Sequence, residues 1–275
     1  MLPPFTYMRP ETPDEVTRHL DESDGARILA GGTDLLVGMR SGESAPDRLI
    51  DIKRIPELRT LALDDGRLRI GAAVRVNELL ESRDIIDRYP VLAEAGRRMA
   101  SHQIRNRATV VGNLCNASPA ADMAAALLAL DAEVRILGPG GERRLPLEAF
   151  FTGCKTCALE RGEWVTSVDA QALPPGTRSG FLKHGRVKGP DLSTVNCAAA
   201  FHPDGSLTLV LGAVAPTPVK IRTPDGRRRD AVLSRICDSV RPIDDVRGSA
   251  EYRKDVACVL ARRLLDRWTG SPGGG

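Results

Sequence analysis

Aromatic side chains are scarce: five Phe, three Tyr and two Trp in 275 residues. A single-strand nucleic-acid binder needs more stacking platforms than that. The formal net charge of +3 lays no broad basic footprint for a polyanion. No apolar run is long enough to cross a bilayer, and the N-terminus carries no signal-peptide pattern, so a cytoplasmic chain is expected. The cysteines, Cys115, Cys154, Cys157, Cys197, Cys237 and Cys258, are scattered and form no secreted-type framework. The CxxC at Cys154 and Cys157 offers two ligands where zinc and iron–sulfur sites take four. Ordinary thiols and no metal site are expected there. His19, His102, His184 and His202 stand in no triad or metal spacing and read as structural or surface residues. Arg227-Arg228-Arg229, the densest basic run, reads as a solvated loop, with a partner contact as the sharper alternative.

What stands out is a pair of glycine-containing signatures. The first is AGGTDLL, Ala30 to Leu36, after the apolar strand end Ile28-Leu29. Gly31 and Gly32 lack a Cβ, so backbone N–H groups can approach an anion. Thr33 adds a hydroxyl, and Leu35, Leu36 and Met39 begin a helix whose N-terminus favours a phosphate. The plainer reading is a tight turn capped by Thr33 or Asp34. The second signature is TVVGNLCNASPAAD, Thr109 to Asp122. Val110-Val111 reads as a strand, Gly112 permits close approach, and Asn113 can donate and accept. Ser118-Pro119 reads as a helix opening, since Ser caps and Pro suits the first helical position. Asp122 in the first turn is either a dipole-favoured acid or an acceptor for a ligand hydroxyl. Two such loops suggest one long ligand, of dinucleotide length.

Breakers and periodicity organise the rest. Thr12-Pro13-Asp14-Glu15 starts a helix. Leu49 to Ile52 and Leu68 to Ala72 read as strands, and Asn77 to Ser82 and Val91 to Ala100 as helices. Ala132 to Leu137 alternates as a strand before the turn Gly138-Pro139-Gly140-Gly141. Leu173-Pro174-Pro175-Gly176 is a linker, followed by a hairpin of 193–202 and 207–213. Ser249 to Trp268 is a long amphipathic helix, and Ser271 to Gly275 is expected to be disordered.

Further residues carry a resemblance along nearly the whole chain. They include Phe5-Thr6-Tyr7, Leu49-Ile50-Asp51-Ile52, Ile70-Gly71-Ala72-Ala73 and Gln103-Ile104-Arg105-Asn106. They continue with Phe150-Phe151-Thr152-Gly153, Gly212 to Pro218 and Ser249 to Arg253. With the two signatures, these make the chain resemble the FAD-binding medium subunit of the molybdenum hydroxylases, the family of carbon monoxide dehydrogenase, xanthine dehydrogenase and 4-hydroxybenzoyl-CoA reductase flavoproteins. The extra cysteine-rich insertion of the last of these is absent.

The resemblance implies an α+β fold. A two-subdomain FAD-binding domain, residues 1–172 (about 1–57 and 58–172), would precede a smaller α+β C-terminal domain, 177–275. Ala30, Gly31, Gly32, Thr33 and Asp34 would hold the pyrophosphate region of a non-covalent FAD, with Leu29 beside them among the cofactor-binding residues. Thr109, Gly112 and Asn113 would hold its phosphate and ribityl side. Asp122 would meet a cofactor hydroxyl, and Lys183 would lie near the flavin ring. Val111 replaces a family glycine, and its side chain is expected to narrow the cradle. No side chain need be a catalytic acid, base or nucleophile. Partner subunits would carry the molybdenum cofactor and two 2Fe-2S clusters in a dimer of heterotrimers, with Arg105 and Arg107 as candidate docking residues. Two rivals remain: a stand-alone FAD oxidoreductase with its own substrate site, and an assembly subunit that has lost FAD.

Overall fold

A computed structural model describes residues 2–64 and 66–269. The terminal Ser271 to Gly275, expected to be disordered, lies outside them. The chain opens with strand β1 (Thr6–Met8), helix α1 (Pro13–Asp21), β2 (Ala26–Leu29), α2 (Leu35–Ser41) and β3 (Arg48–Asp51). Thr12 caps α1 by accepting from the Glu15 N–H, with Pro13 in the first turn. The strands pair in parallel in the order β1-β3-β2. Parallel neighbours need crossovers, and α1 and α2 lie in the connections between successive strands.

A second, antiparallel sheet begins with β4 (Leu61–Asp64) and β5 (Arg67–Gly71). Helices α3 (Val76–Glu81), α4 (Arg83–Arg88), α5 (Pro90–Arg98), α6 (His102–Arg105), α7 (Val110–Cys115) and α8 (Asp122–Ala129) follow. Then come β6 (Glu133–Gly138), β7 (Gly141–Pro146), the short α9 (Leu147–Phe150), a β8–β9 ribbon (Phe151–Gly153, Thr156–Cys157) and β10 (Trp164–Gln171). The sheet order is β4-β5-β10-β6-β7. Alternation in β6 buries Val134 and Ile136, while Arg135 turns outward to pair with Asp169 at 2.7 Å.

Two expectations fail inside the second signature. Val110 and Val111 are helical, not extended. The Thr109 hydroxyl oxygen accepts from the Gly112 N–H, capping the turn, and Val110, Val111 and Leu114 are all buried. Capping and burial override the strand preference of two β-branched residues. Ser118-Pro119 does not open α8 either. Ser118 accepts from the Ala120 and Ala121 N–H groups in a turn. The Pro119 carbonyl accepts from Ala213 N–H in the distant part of the chain, and the helix starts at Asp122.

After a coil, β11 (Arg178–His184), β12 (Val195–Phe201), β13 (Leu207–Gly212) and β14 (Val219–Thr223) form an antiparallel meander. Helices α10 (Arg229–Ser239) and α11 (Ala250–Thr269) pack on it. Strand β12 is buried on both faces. Ala198 joins the core built around the all-buried α8, whereas Val195, Cys197 and Ala199 join the core under α10 and α11. Small side chains let layers approach closely on either side. The two parts are further tied by Glu94, which accepts from the Phe181 N–H at 2.7 Å, and by Lys220 and Arg222, which pair with Asp131.

Candidate functional site

The two signatures face one another across a cleft of about 1080 Å³. That is just above the usual range of small-molecule sites, ~300–1,000 Å³. Ala30, Gly31, Gly32, Thr33 and Asp34 line it from one side, and Thr109, Val111, Gly112 and Asn113 from the other. The glycines are demanded by the backbone itself. A Cβ at Gly31 would stand 2.3 Å from the Arg107 carbonyl oxygen, so this residue lets the two loops close on each other. Gly32 has φ +74°, in the left-handed region, and a Cβ there would meet Leu29 at 2.9 Å. Val111 is 3% exposed, packing in the core while forming part of the cleft wall.

Asp34 does not cap α2; no side-chain cap bond forms there. Its carboxylate instead accepts from the Asn116 side-chain amide at 3.0 Å, and Asn116 accepts from Lys155 at 2.8 Å. This chain of three side chains joins the first loop, the end of α7 and the β8–β9 ribbon along the wall of the cleft. Asn116 and Lys155 were not singled out in the sequence; Asn116 lies inside the second signature and could have been. The Asn113 Oδ1 is buried without a hydrogen-bond partner. An orphaned acceptor of this kind costs roughly 1–3 kcal/mol unless something donates to it.

Leu29, Asp122 and Lys183 are not in the cleft lining. Leu29 ends β2, where its carbonyl accepts from the Ile52 N–H. Asp122, 5% exposed, accepts from Lys183 at 2.7 Å, Ser193 at 2.6 Å and Asn196 at 3.0 Å. Burial pushes its carboxyl above the ordinary value, against the pull of Lys183 and the two neutral donors. Lys183 also donates to the Arg98 carbonyl at 3.3 Å, one residue before Met99, which lines the cleft. The pair is therefore tied to the backbone next to Met99 without itself lining the cleft. Ser193 and Asn196 were missed because they are distant in sequence; a lone Asn in the apolar strand VNCAAAF was the available signal.

Arg105, a candidate docking residue, is spent internally on Asn77 and on the Met99 and Ala100 carbonyls. Arg107 is exposed. Cys115 and Cys157 both line the cleft. Burial, reinforced by Cys157, pushes the Cys115 thiol up to about 12, so it stays protonated and unreactive at neutral pH. Among the described residues, no group of three or more His, Cys, Asp or Glu side chains could hold a metal ion. Nor is any helix there long and apolar enough to cross a membrane.

An α+β framework holds a large cleft between a glycine loop at residues 30–34 and the start of α7, the setting of a nucleotide-cofactor protein. Residues 3–170 match the FAD-binding domain of molybdopterin dehydrogenases, and residues 181–268 match the CO dehydrogenase flavoprotein C-terminal domain. The chain is 33% identical to the carbon monoxide dehydrogenase medium chain of Hydrogenophaga pseudoflava, over 97% of this chain and 98% of that one. It is 30% identical to the xanthine dehydrogenase FAD-binding subunit of Escherichia coli O157:H7, over 98% and 97%. The fold superposes on the reconstituted CO dehydrogenase from Oligotropha carboxidovorans with a TM-score of 0.92 at 29% identity, covering 98% of this chain and 99% of that one. The chain belongs to the FAD-binding subunits of the molybdenum hydroxylases, a family of oxidoreductases.

Proposed function

We propose that this chain is the electron-transfer subunit of a multisubunit molybdenum hydroxylase. It would carry non-covalent FAD and pass electrons between 2Fe-2S clusters of a small partner subunit and an external acceptor or donor. The observation that carries the cofactor reading is the cleft itself: it is lined by residues of both glycine signatures, Ala30 to Asp34 and Thr109 to Asn113. Bound flavin would supply the redox chemistry, and the protein binding, orientation and electrostatics. Residues 30–34 would lie against the pyrophosphate, where Gly31 and Gly32 leave the backbone bare. Thr109, Gly112 and Asn113 would hold the ribityl side. Asp122 and Lys183 would close the ring end beyond Met99, with Lys183 adding a positive charge there. Leu29 contributes by fixing the end of β2. The division into residues 1–172, as two subdomains of about 1–57 and 58–172, and 177–275 belongs to the same reading, since it sets the cleft inside the first part.

Partners follow from the relatives, several of which are medium chains of dehydrogenases. A small two-cluster subunit and a large molybdenum subunit are proposed, assembled as a dimer of heterotrimers in the cytoplasm. Coexpression with both candidate partners, size exclusion and a visible spectrum test this. A three-protein peak with flavin bands is expected, and the isolated chain should hold FAD without turning over substrate. A chain that purifies alone beside both partners, or that reduces its own flavin with an organic substrate, would overturn the reading.

A further inference from the structure

Outside the cleft, the described residues place two cysteines together. Cys237 lies in the last turn of α10 and Cys258 in the middle of α11, with their sulfurs 3.6 Å apart. Cys237 is exposed and Cys258 half-buried. The helices that carry them are held in register by the core beneath, through Val232, Ile236, Ala257 and Ala261. The sulfurs need to close by about 1.5 Å to reach bonding distance, a side-chain rotation on a fixed scaffold.

We propose that Cys237 and Cys258 form a reversible disulfide on exposure to a hydroperoxide, clasping α10 to α11. Exposed Cys237, as its thiolate, attacks the peroxide. The O–O bond breaks, a sulfenic acid forms on Cys237, and the leaving alkoxide or hydroxide takes up a proton. The Cys258 sulfur then attacks the sulfenic sulfur. The S–S bond forms, the S–O bond breaks, and the hydroxide leaves as water with the Cys258 proton. Two thiols lose two electrons; one hydroperoxide becomes an alcohol, or water, plus water. A dithiol restores the starting state by exchange. Burial, the neighbouring Cys237 and Asp255 push the Cys258 thiol up to about 11, which leaves the exposed Cys237 as the initiating sulfur.

The clasp has a structural consequence. It closes a loop that contains Asp245 and Arg253. Arg253 holds the Thr194 carbonyl at 2.7 Å and the Ala213 carbonyl at 3.1 Å. Thr194 adjoins Ser193, a donor to Asp122. Oxidation therefore stiffens the segment that anchors the buried junction from the outside.

The test treats the full, flavin-loaded chain with hydrogen peroxide, then maps tryptic peptides without reduction. The expected product links Ile236–Arg247 to Asp255–Arg262, disappears with dithiothreitol, and raises the thermal midpoint by about 6–12 °C. Cys258→Ser should leave Cys237 to accumulate sulfenic acid, trappable with dimedone, and should lose the thermal shift. Peroxide that leaves this peptide pair unlinked, or that links Cys237 to Cys154 or Cys157 equally well, would overturn the proposal. So would a linked protein with an unchanged midpoint, since the clasp would then constrain nothing.

Discussion

The carboxylate of Asp122 and the ammonium of Lys183 stand 2.7 Å apart, with both side chains under a tenth exposed. One begins α8 and the other lies on β11, so the pair bolts the first part of the chain to the C-terminal sheet. Ser193 and Asn196 complete the carboxylate's shell. Removing the acid alone leaves the lysine buried without its counter-charge, the costly way to break such a pair.

Asp122→Ala should therefore lower unfolding stability by about 3–5 kcal/mol with or without FAD. The double variant Asp122→Ala with Lys183→Met should regain part of that loss. Urea titrations of the four proteins read the coupling directly. A single variant as stable as the parent, deficient only in flavin, would show that the acid serves the cofactor and not the junction.

Gly31→Ala and Gly32→Val attack the closure of the two loops. The first drives a methyl group into the Arg107 carbonyl; the second forces a β-branched residue into the left-handed region. Each should cut FAD affinity at least about tenfold, or roughly 1.4 kcal/mol. Flavin absorbance per mole of purified protein is the readout, and parental occupancy in either variant would dissociate the loop from the cofactor.

Asn113→Ala separates folding from binding. It removes a buried acceptor that has no partner within the protein. The flavin-free chain should be as stable as the parent or slightly more so, while FAD binding weakens by about 1–2 kcal/mol. Calorimetric titration with FAD, beside thermal melts of the flavin-free protein, compares the two. Unchanged FAD affinity would mean that the oxygen faces no ligand.

Glu163 gives a pH prediction. Arg143 grips it through two 2.7 Å contacts and, outweighing partial burial, holds its carboxyl below the ordinary range. A lowered native value means that the stabilisation is complete above the unfolded Glu value, about 4.3. It is lost as pH falls through the native one. Glu163→Gln should cost about 1 kcal/mol near neutrality, discounted because Arg143 is over a third exposed. The difference should vanish in acid. A gap that persists undiminished at pH 2 would rule out the ion pair as its source.

Local chemistry was legible in the sequence. Thr12 and Pro13 announced α1, Gly138 to Gly141 announced the turn after β6, and the apolar stripe of 249–268 announced α11, because cap, turn and periodicity act over a few residues. The first glycine signature likewise announced a loop, whereas the second lies at the start of α7. The reason for Gly31 was not legible: the atom that forbids a side chain belongs to Arg107, across the cleft.

The same limit explains what was misread. Two adjacent valines favour strand by themselves, yet the Thr109 cap and a buried helical face decided for α7. Asp122 announced itself as an acid in a first turn, but its partners lie 61, 71 and 74 positions away. By itself the sequence determined the caps, turns and amphipathic faces whose chemistry is complete within a few residues. Only the tertiary structure decided which charges and hydrogen-bonding groups face each other, because a buried group takes whatever partner chain packing delivers, and leaving it alone costs more than any local preference supplies.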